Sequence, residues 1–149
     1  MENEFIFSTN VEWKNEKKGD LKSDGFPAIE VATPVEFPNG VPGVWSPEHL
    51  FVAAAEVCLM TTFTGIAAAS KVEVISYKSS AAGKVERVEG KFRFTEITIS
   101  PEIVVAREKD VERAERLINK AKGLCLVSNS LIADVLVNYK ITLATNFTN

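Results

Sequence analysis

Ser46-Pro47-Glu48-His49-Leu50-Phe51-Val52-Ala53-Ala54-Ala55-Glu56-Val57-Cys58 opens a long apolar stretch that runs on to Ser70. Its first three residues form a helix start: a hydroxyl at the N-cap, a proline at N1 where an N–H is not needed, and a carboxylate at the positive helix end. The remainder is rich in alanine, and Glu56 is its only charge after Glu48. A helix that is apolar almost all round has no solvent face, so the stretch predicts a long buried central helix from Pro47 to about Ser70. A membrane span competes with this reading, since Leu50 to Ser70 has sufficient length. Glu56 in mid-span would cost on the order of 2.5 kcal/mol or more, and Thr61, Thr62 and Thr64 dilute the hydrophobicity. The expectation is therefore a core helix, with no membrane partner.

Ahead of this helix, Phe5, Phe7, Thr9, Val11 and Trp13 alternate with mostly polar residues, which predicts a strand over roughly 4–13. A polar turn at 14–19, a short extended piece, the Ser23-Asp24-Gly25 turn and a second alternation at Ile29, Val31, Thr33 and Val35 complete an antiparallel meander. Pro38-Asn39-Gly40-Val41-Pro42-Gly43 then breaks all periodicity. Beyond the helix, Val72 to Tyr77 reads as a strand, followed by a hairpin turning at Glu89-Gly90 into Phe92, Phe94 and Ile97 to Ile99. Asp110 reads as the cap of an amphipathic helix with Val111, Ala114, Leu117, Ile118 and Ala121 on one face and Gly123 at its end. A short apolar helix from Leu124 to about Ala133 carries Cys125 at its start. Val135, Val137, Tyr139, Ile141 and Leu143 alternate as a final strand. The order predicts one α+β domain over residues 1–149, without an internal repeat.

With 149 residues and 46% hydrophobic content, the chain can bury one sizeable core. A net charge of −3 and a pI near 5.3, with the basic residues dispersed, give no attraction to phosphate backbones, so nucleic acid is not an expected partner. Met1 to Asn10 is polar and acidic, unlike a secretory signal, and the expected compartment is the cytoplasm. Asn146-Phe147-Thr148 matches a glycosylation sequon that would have no consequence there. Two cysteines and one histidine cannot complete a typical zinc site, and neither a glycine-rich phosphate loop nor a G-x-S-x-G elbow occurs. Metal and nucleotide chemistry are not expected.

Thiol chemistry remains. Cys58 and Cys125 share no CxxC motif, and spacing alone leaves both open as small buried hydrophobes. Two anchors alter the balance. The first is Trp45-Ser46-Pro47-Glu48-His49-Leu50-Phe51 followed by Ala53-Ala54-Ala55 and Cys58, and the second is Cys125-Leu126-Val127-Ser128-Asn129-Ser130-Leu131. Together, and in this order, they resemble the OsmC/Ohr family of osmotically inducible and organic hydroperoxide resistance proteins, across nearly the whole chain. The resemblance implies an intertwined homodimer in which antiparallel β-meanders wrap the central helix. It also implies a peroxiredoxin-type thiol peroxidase that needs no bound cofactor. Cys58 would be the peroxidatic thiolate, attacking the O–O bond of an organic hydroperoxide to give a sulfenic acid, and Cys125 would resolve it as a disulfide. An external dithiol, lipoyl-type in the Ohr branch, would reset the pair.

A thiol buried among apolar groups has its pKa raised, so a cation or a hydrogen-bond donor must hold Cys58 ionised. In the family an arginine held by a glutamate does this, and Glu48 falls on that glutamate. The first arginine of this chain is Arg87. Aligning on Gly19 and Ser23-Asp24-Gly25 places Lys17 where Ohr-like members carry the arginine, with Lys18 adjacent; lysine keeps the charge but loses the planar fork. Ten residues of helix put Glu48 roughly 15 Å along the axis from Cys58. Two such helices crossing antiparallel in a dimer would bring Glu48 of one chain to Cys58 of the other. Trp45, His49, Phe51 and Met60 are candidate substrate-binding residues, although Trp45, Phe51, Met60 and Phe63 also read as plain core and His49 as a surface residue. Glu56 reads as an interface ion-pair partner, or as an acidic group that acts only when protonated. The alternative to catalysis is a redox-sensing or small-ligand-binding module.

Overall fold

The computed structural model describes residues 3–145, so the Asn146 sequon lies outside the described residues. The chain divides into two compact units, 1–51 and 52–149. In the first, β1 (Asn10–Asn15), β2 (Lys18–Lys22) and β3 (Ile29–Ala32) form the expected antiparallel meander. The first strand starts later than the alternation predicts. β2 ends at Lys22, opposite Asn10, and the turn closed by the Phe26 N–H on the Ser23 carbonyl leads the chain away. Among the described residues, 3–9 therefore have no strand to pair with, and Phe5, Ile6 and Phe7 are 71%, 81% and 90% exposed. The second run stops at Ala32, just ahead of Pro34, which has no N–H to offer a ladder.

Helix α1 (Pro47–Ala69) has the predicted bounds, but within one chain it is not buried all round. Ser46 caps it, its Oγ accepting the His49 N–H at 3.1 Å. At the other end the Lys71 N–H reaches the Ala68 carbonyl and the Val72 N–H the Ala67 carbonyl, with Lys71 left-handed at φ 57°. This is the paired bonding of a Schellman stop, made here without glycine. Within one chain α1 buries a single strip, Ala55, Leu59, Phe63 and Ala67, at a spacing of four. Val57 and Met60 stay exposed. Among the described residues α1 is the one helix long and apolar enough to cross a membrane by length and composition; its inward strip belongs to a packed core.

That core is set by β4 (Val74–Val88) and β5 (Lys91–Val105), a hairpin longer than the sequence pattern indicates. Glu89 and Gly90 both have positive φ, 51° and 81°, as a two-residue turn matched to strand twist requires. Along β5, Ile97, Ile99, Pro101, Ile103 and Val105 point inward with period 2. At Gly83 a Cβ would lie 2.6 Å from both Val52 of α1 and the Phe94 ring, so only glycine admits this close approach.

Four expectations for the C-terminal part are corrected. Asp110 does not cap α2 (Lys109–Leu124). It lies inside the first turn, fully buried, where Oδ1 accepts from Arg113 at 2.6 Å and Oδ2 from Arg107 at 3.0 Å. Burial pushes its carboxyl up, but the two guanidiniums outweigh that and hold it below the usual carboxylate range. The same arginines donate to the Lys71 and Ser70 carbonyls, tying α2 to the end of α1. Gly123 does not end α2, which runs through it to Leu124. The following helix, α3 (Leu126–Asn129), has only four residues. Asn129 and Ser130 turn their side chains back onto the Gly123 and Leu126 carbonyls, competing with continued helix. Finally, the last strand is two, β6 (Asp134–Val137) and β7 (Lys140–Leu143), both parallel to β5 and in one register. Opposite the break stands Pro101, which has no N–H to donate across the ladder.

Candidate active site

The fold brings Cys58 and Cys125 together. Cys58 is half-buried on α1; Cys125 is fully buried in the extended link (φ −66°, ψ 109°) between α2 and α3. Both thiols are free, and each acts on the ionisation of the other. Burial pushes the Cys58 thiol up, but hydrogen bonds from Cys125, the Val127 amide, Thr62 and the Leu126 amide together bring it below its ordinary value. Thr62 Oγ1 lies 4.0 Å from the sulfur, one helical turn on. Cys125 moves the opposite way: burial raises it, its bond to Cys58 raises it further, and donation from Ser128, with Oγ at 3.3 Å, offsets only part. Cys58 is thus the one of the two thiols that ionises first. Of the two ways to hold Cys58 ionised, this unit supplies neutral donors.

The amides of Leu126 and Val127 were not singled out from sequence, although a cysteine just ahead of a helix already implies unpaired N–H groups beside it. Tyr77 was missed altogether, because in sequence it is one more aromatic residue in a strand. Its ring packs on Phe63 with centroids 5.8 Å apart, and its hydroxyl is buried without a partner. Its pKa is pushed up to about 12, by burial first and then by the charges of Glu56 and Cys125. Glu56 is half-buried on α1. Met60, two positions past Cys58, lies about 200° around the helix from it and is 38% exposed.

The remaining candidates belong to residues 1–51. Ser46 is fully buried, with its Oγ 2.6 Å from His49 Nδ1, and the Trp45 ring meets the His49 ring edge-on at 6.4 Å. Oε2 of Glu48 is buried without a partner, and Phe51 is half-buried. Lys17 is exposed in the β1–β2 turn, beside Glu16 at φ 48°, and Lys18 opens β2 half-buried. Among the described residues neither is in an ion pair, whereas Lys14 bridges to Asp20 and Glu30.

The candidate site is thus a half-buried thiol and a fully buried one in an α+β frame built around one long helix. The family model described as OsmC-like protein matches residues 40–140, and the chain belongs to that family. YmaD of Bacillus subtilis, described as uncharacterized, is 26% identical over 93 residues. That match covers 60% of this chain and 62% of YmaD, less than two thirds of the relative's length. An OsmC-like protein of unknown function from Vibrio cholerae is 26% identical with a TM-score of 0.80, over 89% of this chain and 97% of its own. An organic hydroperoxide resistance protein from Elizabethkingia anophelis shares the fold at 22% identity and a TM-score of 0.72, over 98% and 100% of the two chains. OhrB of Bacillus subtilis, also an organic hydroperoxide resistance protein, does so at 20% and 0.63, over 91% and 98%.

Proposed function

We propose that the chain is a cysteine-based thiol peroxidase that reduces organic hydroperoxides in the cytoplasm. The observation that carries this reading is the free, half-buried Cys58 thiol, which Cys125 and the Val127 and Leu126 amides bring below its ordinary pKa, paired with a free, buried Cys125. A thiolate is the nucleophile such chemistry needs. The Cys58 sulfur attacks the terminal peroxide oxygen; an S–O bond forms, the O–O bond breaks, and the alkoxide leaves and takes up a proton as the alcohol. Cys125 then attacks the sulfenic sulfur, hydroxide departs as water, and the disulfide remains for an external dithiol to reduce.

The working unit in this proposal is a homodimer. Supporting it are the faces of α1 that one chain leaves exposed and the unpaired, apolar Phe5-Ile6-Phe7 run. With two α1 helices antiparallel, Glu48 of one chain stands beside Cys58 of the other. Lys17 then supplies the cation, and Trp45, His49, Phe51 and Met60 contact the organic group. A monomer in solution by sedimentation would remove the composite site.

A second reading, redox sensing without fast turnover, is favoured by the unpaired Lys17 in its exposed turn and by the purely neutral donors around Cys58. Mixing the reduced protein with one equivalent of an organic hydroperoxide separates the two. Rapid loss of both thiols, with loss of two hydrogens by mass and a Cys58–Cys125 bridge, supports the peroxidase. Thiols that survive for minutes support the sensor.

A further inference from the structure

We propose that Ser128 is a positioning residue for Cys125: its hydroxyl holds the buried sulfur and stabilises the thiolate that attacks Cys58. This rests on the thiol-pair reading above and names the donor for its second step.

Ser128 lies three residues past Cys125, and a closed turn sets the two side by side. The Asn129 N–H reaches the Cys125 carbonyl at 3.0 Å, and the Leu131 N–H reaches the Ser128 carbonyl at 3.2 Å. Ser128 Oγ then donates to Cys125 Sγ at 3.3 Å, the side chain's only hydrogen bond among the described residues. With Cys125 at 0% exposure, water does not reach the sulfur, and the hydroxyl has no solvent substitute there.

The acceptor is unusual for such a hydroxyl. Serine and threonine in helices and at their ends commonly turn back onto a carbonyl three or four residues earlier. Ser130 does this onto Leu126 at 2.9 Å, Thr64 onto Met60 at 2.8 Å and Thr61 onto Cys58 at 3.2 Å. Ser128 gives its proton to a free thiol instead, a weak acceptor. The same contact becomes a charge-assisted bond when the sulfur ionises, so its strength is realised in the thiolate and not in the thiol. Burial pushes the Cys125 thiol up, which makes a fixed donor count most at this sulfur. Cys58 on α1 and Tyr77 on β4 are the titratable groups that interact with it.

One equivalent of Ellman's reagent, an aromatic disulfide, tests the assignment without peroxide. The Cys58 thiolate attacks it, forming a mixed disulfide and releasing one aromatic thiolate. Cys125 then loses its proton to solvent and attacks the Cys58 sulfur; the Cys58–Cys125 bond forms, the mixed disulfide breaks, and a second aromatic thiolate leaves. The wild type is expected to release two equivalents in two phases. In Ser128→Ala the second phase should slow about fivefold or more at neutral pH and its pH midpoint should move up, with the first phase as internal reference. Ser128→Thr, which keeps the hydroxyl, should restore both rate and midpoint. An unchanged second phase in Ser128→Ala, equal slowing of both phases, or slowing that Ser128→Thr fails to relieve overturns the proposal, as does release of a single equivalent by the wild type. A wild type that completes both phases yet leaves organic hydroperoxides intact would sink the peroxidase reading and leave the role of Ser128 standing.

Discussion

Asp110 and the Cys58–Cys125–Tyr77 cluster both hold polar atoms out of water within residues 52–149, and they are completed to different degrees. Both oxygens of Asp110 are taken by guanidiniums, which in turn bind the carbonyls at the end of α1. In the cluster, two free thiols are displaced in opposite directions from their ordinary pKa values, and the Tyr77 hydroxyl has no partner among the described residues. Saturated bonding holds one arrangement; incomplete bonding leaves room for a group to change state. The first is a clamp, and the second is the site at which we propose the reaction.

The largest effect belongs to the cluster. Cys58→Ser should reduce hydroperoxide consumption to the uncatalysed background, while Cys125→Ser should spare the first reduction and stop the chain at a sulfenic acid that a trapping reagent labels. Equal consumption by wild type and Cys58→Ser would contradict the assignment of the nucleophile.

Next comes the clamp. Asp110→Asn removes the charge that neutralises two guanidiniums and should lower Tm by several degrees without altering thiol reactivity. Its pH dependence has a definite sign. Because the folded carboxyl lies below its unfolded value, it contributes stability above about pH 4, which is lost as pH falls through the folded pKa. Acid unfolding monitored by circular dichroism should show this contribution in the wild type and not in Asp110→Asn.

Smaller effects sharpen the contrast. Ser128→Ala takes one donor from Cys125 and should slow disulfide closure several-fold, leaving the Cys58 step in place. Tyr77→Phe should raise stability by on the order of 1 kcal/mol, since it deletes an unpaired buried hydroxyl. A loss of stability on that substitution would mean that the hydroxyl has a partner after all.

Much of the frame was legible in the sequence. Ser46-Pro47-Glu48 marked α1 to the residue, because capping is local chemistry, and Glu89-Gly90 marked the hairpin because positive φ limits which residues fit there. What sequence reading missed depended on distant partners. The alternation at Phe5 and Phe7 predicts a strand, but pairing needs a neighbour, and β2 stops opposite Asn10. Asp110 has the composition of a cap, yet Arg107 and Arg113 hold it elsewhere. In the site, the two cysteines came from family resemblance. The groups that act on Cys58 carry no motif signal that marks them together: the α3 amides arrive by tertiary approach, and Thr62 lies one helical turn on.

We propose that neutral groups, Cys125 foremost, favour the ionised form of Cys58. The decisive measurement is alkylation of Cys58 by iodoacetamide as a function of pH, followed by mass spectrometry in wild type and in Cys125→Ala, which removes the donor that serine would keep. The expected result is a midpoint below the ordinary cysteine value of about 8.5 in the wild type and a rise when Cys125 is replaced. A wild-type midpoint above that value, or one that Cys125→Ala leaves unmoved, would contradict the proposal.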